Sequence, residues 1–120
     1  MELTGKCRTD FKKWFTDNLE RKEIGEITDG GWFVTEILID DVWKDLPLSM
    51  QYGVFVDFFD SVGIMIDLRF IYMLQSYERI VYFKDRQNSK DTTLYNKLHD
   101  THQEARIESI KKANELYNSI

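Results

Sequence analysis

Three carboxylates in the middle of the chain, Asp57, Asp60 and Asp67, have a type and spacing that could do chemistry. Asp57 and Asp60 lie about one helical turn apart, and Asp67 follows on the next segment, so the three would approach one another near the Ser61-Val62-Gly63 corner. Converging carboxylates can bind a divalent cation or divide acid and base roles between them. The same pattern also serves to solvate the outer side of an otherwise buried helix. His99 and His102 flank Asp100-Thr101 at helical spacing, but a zinc site needs a third and usually a fourth ligand, and no HExxH, CxxC or Cys/His array occurs. They read as two surface histidines around a helix start. Cys7 falls on an apolar stripe and reads as a small core residue rather than a nucleophile, because no neighbouring feature of the sequence would activate its thiol. Arg69 and Arg106 each offer a planar fork, either to a carboxylate or phosphate on a partner or to an internal ion pair. Neither GxGxxG nor GxxxxGK[ST] is present, which disfavours nucleotide enzymes of those kinds. The expectation is no catalytic residue, no metal site and no cofactor.

The distribution of charge narrows the partners. Of 120 residues, 16 are basic and 21 acidic, for a net charge of −5, and the excess is concentrated: residues 23–67 hold ten carboxylates against the single Lys44. A nucleic-acid binder needs clustered Lys and Arg to displace counterions, so nucleic acid is an unlikely partner and a protein is favoured. No apolar stretch is long enough for a membrane span and the N-terminus lacks an apolar signal-peptide core, so the expected address is cytoplasmic. One cysteine cannot form an internal disulfide, and stability must come from packing.

The elements that would position these groups follow from the hydrophobic period. Cys7, Phe11, Trp14, Phe15 and Leu19 form one stripe of a helix over about 4–19, and residues 32–43 read as a second helix, with a strand as the competing reading. Pro47 suits the first turn of a third helix and Gly63 its C-terminal end; between them Leu48, Tyr52, Phe55, Phe59 and Val62 line one face, leaving Gly53, Asp57 and Asp60 as a narrow polar strip. From Ile64 to Met73 the period changes to two, which predicts a strand, with a second strand over 78–84 and a short third over 92–98. Thr101-His102-Gln103-Glu104 is a capping box that starts a last helix, whose Ala105, Ser109, Ile110, Ala113, Leu116 and Tyr117 share a face. The fold class is therefore α+β in a single domain over 1–120: N-terminal helices, a two- or three-stranded antiparallel sheet, and a C-terminal helix packed on it.

Three stretches together carry a resemblance. Leu3-Thr4-Gly5-Lys6, the segment from Leu46-Pro47-Leu48-Ser49-Met50-Gln51-Tyr52-Gly53-Val54 to Asp57-Phe58-Phe59-Asp60-Ser61-Val62-Gly63-Ile64, and Gln103-Glu104-Ala105-Arg106 with Lys112-Ala113-Asn114-Glu115-Leu116-Tyr117-Asn118 resemble a group of small uncharacterised proteins carried by bacteriophages and prophages of gut-type bacteria. The resemblance implies a small α+β fold and an accessory role in a bacterial host, and it implies no particular chemistry. The sequence thus reads as a non-enzymatic module that binds a host or phage protein, inhibiting it or interfering with host defence. Its binding surface is expected among the acidic and aromatic residues Trp32, Glu36, Asp40, Asp41, Trp43, Asp57 and Asp60. The competing readings are a small-ligand or metal-assisted enzyme built on the carboxylate cluster, and a self-assembling structural component.

Overall fold

Cys7, Phe11 and Phe15 recur every fourth residue and form the buried stripe of the first helix, α1 (Gly5–Leu19), in a computed structural model of the protein that describes residues 1–19, 43–84 and 95–120. The expected helix over 32–43 lies outside the described residues except for Trp43, which is helical together with residues 44 and 45. The next helix, α2 (Leu48–Ser61), begins one residue after Pro47 rather than on it. Pro47 takes the N-cap position, its extended backbone at ψ 149° turning its carbonyl toward the amides of Met50 and Gln51, both at 3.0 Å. Phe55, Phe58 and Phe59 are the buried aromatics of α2, and Gly53, Asp57 and Asp60 face outward as the polar strip requires. Gly63 ends the helix with φ +88°, a left-handed conformation that costs glycine little.

Three antiparallel strands follow in the order β1 (Ile64–Ile71), β2 (Ser76–Phe83) and β3 (Tyr95–His99), each paired with the next. The third strand is therefore present. The last helix, α3 (His102–Asn118), starts where the capping box places it: the Thr101 hydroxyl accepts from the Glu104 amide at 3.1 Å. Ala105, Ser109 and Ala113 give α3 a small-residue face that lets it lie close on the sheet, chiefly against β2, while α2 covers β1. One core joins the layers. It runs from Cys7, Phe11 and Phe15 through Phe55, Phe58 and Phe59 to Ile64, Ile66 and Val81, closed on the α3 side by Ile110, Ala113 and Leu116. The fold is α+β, with α1 packed across α2 and α3 on the side away from the strands.

Helix α1 is fastened from the opposite end of the chain. Asn114 accepts from the Thr4 amide at 3.0 Å and donates to the Thr4 hydroxyl at 2.9 Å, and Asn118, one turn further along α3, accepts from the Cys7 amide at 2.9 Å and donates to the Thr4 carbonyl at 2.9 Å. A helix start leaves its first amides without intrahelical partners, and here a distant side chain supplies one of the missing acceptors. Thr4 and Cys7, at the start of α1, are thus in direct contact with the last turns of α3.

Candidate functional site

The sequence-derived candidates separate in space. Asp57 is exposed on the outer strip of α2; Asp60 is tied to the end of β2 by Lys84, whose Nζ lies 2.6 Å from its Oδ1. Asp67 lies on β1 on the face opposite Ile64 and Ile66, and among the described residues no three His, Cys, Asp or Glu side chains come together as metal ligands. Cys7 is fully buried, and desolvation, with a smaller contribution from the nearby Asp10 charge, pushes its thiol up to about 12, so it is held as the inert thiol.

The histidines are not a surface pair. His102 is exposed, with its ring 5.1 Å from that of Tyr77, but His99 is buried in the helix-facing side of β3. The Arg79 Nε–H donates to His99 Nε2 across 3.2 Å, so Nε2 must offer a lone pair and the neutral ring carries its proton on Nδ1, which faces Glu104 Oε1 at 3.4 Å. The capping box is consequently half used: Glu104 turns its carboxylate to His99 instead of reaching back to the Thr101 amide. Of the two arginines singled out, Arg69 pairs across the hairpin with its register partner Glu78 at 3.0 Å. Arg106 instead lies over the Tyr52 ring, 5.4 Å from its centroid, with a buried Nε that has no hydrogen-bond partner. Burial raises the Tyr52 phenol to about 12.

Of the residues expected to bind a partner, Trp32, Glu36, Asp40 and Asp41 lie outside the described residues. Trp43 is half-buried and packs edge-on against Phe11 and Phe15 at 5.3 Å and Phe55 at 5.0 Å. It helps wall a cleft of about 360 Å³ between α1, the 43–45 turn and α2. The Gln51 amide at the base of this cleft donates to the Trp43 and Leu46 carbonyls at 2.9 and 3.1 Å, fixing the turn against α2.

The most exposed apolar group among the described residues lies elsewhere. At the tip of the β1–β2 hairpin, Tyr72, Met73 and Leu74 form one turn of 3₁₀ helix and are 75%, 87% and 59% exposed. Phe70 beside them is 49% exposed, and its ring meets that of Tyr77 at 5.1 Å. The expected strand over 64–73 stops at Ile71 because this turn takes over. The turn is closed by its own hydrogen bonds: the amide of Gln75 and its side-chain Nε2 both donate to the Tyr72 carbonyl, at 3.2 and 2.9 Å, and Ser76 Oγ donates to the Leu74 carbonyl at 3.1 Å. Gln75 sits at φ +50°, an uncommon conformation for a residue with a Cβ. A signal for the site is present in the sequence. Phe70-Ile71-Tyr72-Met73-Leu74 is a run of five apolar residues with no polar alternation, and an exposed run of that kind is expected chiefly where it serves a function. The tip stands at the opposite end of β1 from Asp60 and Lys84, about 23 Å away at the usual rise per residue.

Compared with known proteins, the chain matches no family model, and no curated protein and no solved structure is similar to it.

Proposed function

We propose that this chain is a non-enzymatic protein-binding module, a phage or prophage accessory protein that acts in the bacterial cytoplasm by docking the apolar hairpin tip on a host or phage protein. The observation that carries this reading is the exposure of Tyr72, Met73 and Leu74 on a turn whose backbone is locked by its own hydrogen bonds. A backbone fixed before binding loses less entropy on docking, and Tyr and Met are among the residues enriched in protein interfaces. Partner binding through Asp57 is a weaker version of the same idea, since a solvated carboxylate on an open helix face contributes little by itself. The charges near the tip favour a protein surface over a lipid one. Arg69 is paired with Glu78, Asp100 and Glu104 lie at the same end of the sheet beside Arg79 and Lys97, and the whole chain is acidic, whereas anionic membranes attract surfaces with a clear excess of Lys and Arg. No helix among the described residues is long and apolar enough to cross a membrane.

The test is capture from a related bacterial host at physiological salt by three tagged proteins: the wild type, a variant carrying Tyr72→Ser, Met73→Ser and Leu74→Ser, and a variant carrying Asp57→Ala and Asp60→Ala. A stoichiometric protein retained by the wild type and the Asp variant but lost by the tip variant supports the reading. Loss in the Asp variant alone moves the interface to the acidic face. Flotation of the wild type with lipid vesicles, abolished by the tip substitutions, replaces the protein partner with a membrane.

A further inference from the structure

We propose that the cleft between α1 and α2 is a binding site for a small amphipathic anion, an alkyl chain carrying one carboxylate. Its floor is aromatic: Phe11 and Phe15 lie one turn apart on α1, and Trp43 stands edge-on to both. Its rim is basic. Arg8 and Lys12, also one turn apart, and Lys44 from the 43–45 turn line the same opening, where Glu2 is the one carboxylate among the described residues. Among the described residues none of the three cations makes an ion pair. Like charges at i and i+4 on a helix repel, so an anion between them removes an unfavourable interaction as well as adding a favourable one. The volume of about 360 Å³ falls within the usual range for small-molecule sites, which are mostly apolar with a few polar groups that orient the ligand. The Arg8 fork matches the two oxygens of a carboxylate, the floor takes the alkyl chain, and a cationic headgroup would meet three like charges. This site is separate from the hairpin tip and does not depend on it.

Decanoate is the probe, with decyltrimethylammonium as the same chain carrying the opposite charge, each titrated into the whole protein by calorimetry with tryptophan fluorescence followed in parallel. The expected result is saturable one-to-one binding of decanoate and none of the cation. Arg8→Glu combined with Lys12→Glu weakens decanoate binding by about tenfold or more, a change equal to the loss of modest electrostatic contributions from two rim groups. Both positions are solvent-exposed, so the double variant folds, and circular dichroism with an unchanged melting temperature verifies it. The Tyr72→Ser, Met73→Ser, Leu74→Ser variant binds decanoate as the wild type does. Absence of saturable binding, equal affinity for the two headgroups, or decanoate binding unchanged by the charge reversals overturns the proposal.

Discussion

Asn118 Oδ1 accepts the Cys7 amide proton across 2.9 Å, so the last turn of α3 caps the first turn of α1. Asn114 holds Thr4 from the preceding turn of the same helix. Removing a helix cap costs about 0.5–2 kcal/mol, and each asparagine here also satisfies a second group on Thr4. Asn118→Ala and Asn114→Ala are each expected to destabilise the fold by about 1–2 kcal/mol in urea denaturation. Because both act on Thr4, the double variant departs from additivity by about 0.5 kcal/mol or more. Strict additivity would mean that the two clamps are independent.

Gly5 is the hinge of the same joint. Its φ of +59° is one that glycine adopts freely, and a Cβ there would stand 3.2 Å from Asn118 Oδ1. Gly5→Ala therefore strains the backbone and pushes on the capping side chain, for an expected loss of about 1–3 kcal/mol. Gly53, which has nothing within 4 Å of an added Cβ and lies inside a helix, gives the opposite sign: Gly53→Ala stabilises by about 0.5–1 kcal/mol. Melting temperatures of the two variants on either side of the wild type confirm the pair of assignments.

The alkaline limb of stability has three named sources. The Cys7 thiol is raised from 9.0 and the Tyr52 and Tyr117 phenols from 10.0, each to about 12, by burial first and, for Tyr117, by the hydrogen bond it gives Asp10. All three ionise more readily in the unfolded chain, so their contribution is complete below the unfolded value of 9.0 and is lost as pH rises toward about 12. The urea midpoint is expected to fall steadily over that window, and Cys7→Ala reduces the slope at its lower end. Cys7 in the native protein resists iodoacetamide near neutral pH and reacts once urea unfolds it. A flat midpoint or ready native alkylation would contradict the burial of the thiol.

The Asp60–Lys84 pair lies half in solvent, with side-chain exposures of 50% and 47%. Its short distance does not make it strong, because exposed ion pairs contribute at most about 1 kcal/mol. Asp60→Asn is expected to lower stability by less than about 0.5 kcal/mol in low salt, with the difference shrinking as salt is added. A loss above about 2 kcal/mol would assign Asp60 a buried role that its exposure rules out.

Local periodicity made most of the fold legible. The four-residue spacing of Cys7, Phe11 and Phe15, the broad apolar face of α2 and the Thr101 capping hydroxyl each act within a few turns of chain, and the helices start and stop close to where they indicate. Contacts across large sequence separations were not legible. Asn114 and Asn118 look like ordinary surface asparagines until α1 is placed beside them, and His99 looks exposed until α3 folds back over β3 and Arg79 reaches its ring. Alternation carried the first strand too far because Tyr72 keeps the apolar parity of Ile64, Ile66 and Phe70 one residue beyond Ile71, where pairing ends. The carboxylates show the limit of spacing arguments. Asp57 and Asp60 do share a helix face, but the turn at Gly63 sends β1 away with Asp67 on its far side, and Lys84 takes the position beside Asp60.

The central claim is that the molecule engages a protein through its hairpin tip, and site-specific photocrosslinking tests it most directly. A photoreactive amino acid replacing Met73 and, in a second protein, replacing Asp57 would be irradiated in bacterial cells that express the protein, and the adducts identified by mass spectrometry. One protein adduct is expected from position 73, lost when Tyr72 and Leu74 are changed to serine, and none from position 57. An adduct from position 57 alone, or irradiation that leaves position 73 without a protein partner, would contradict it.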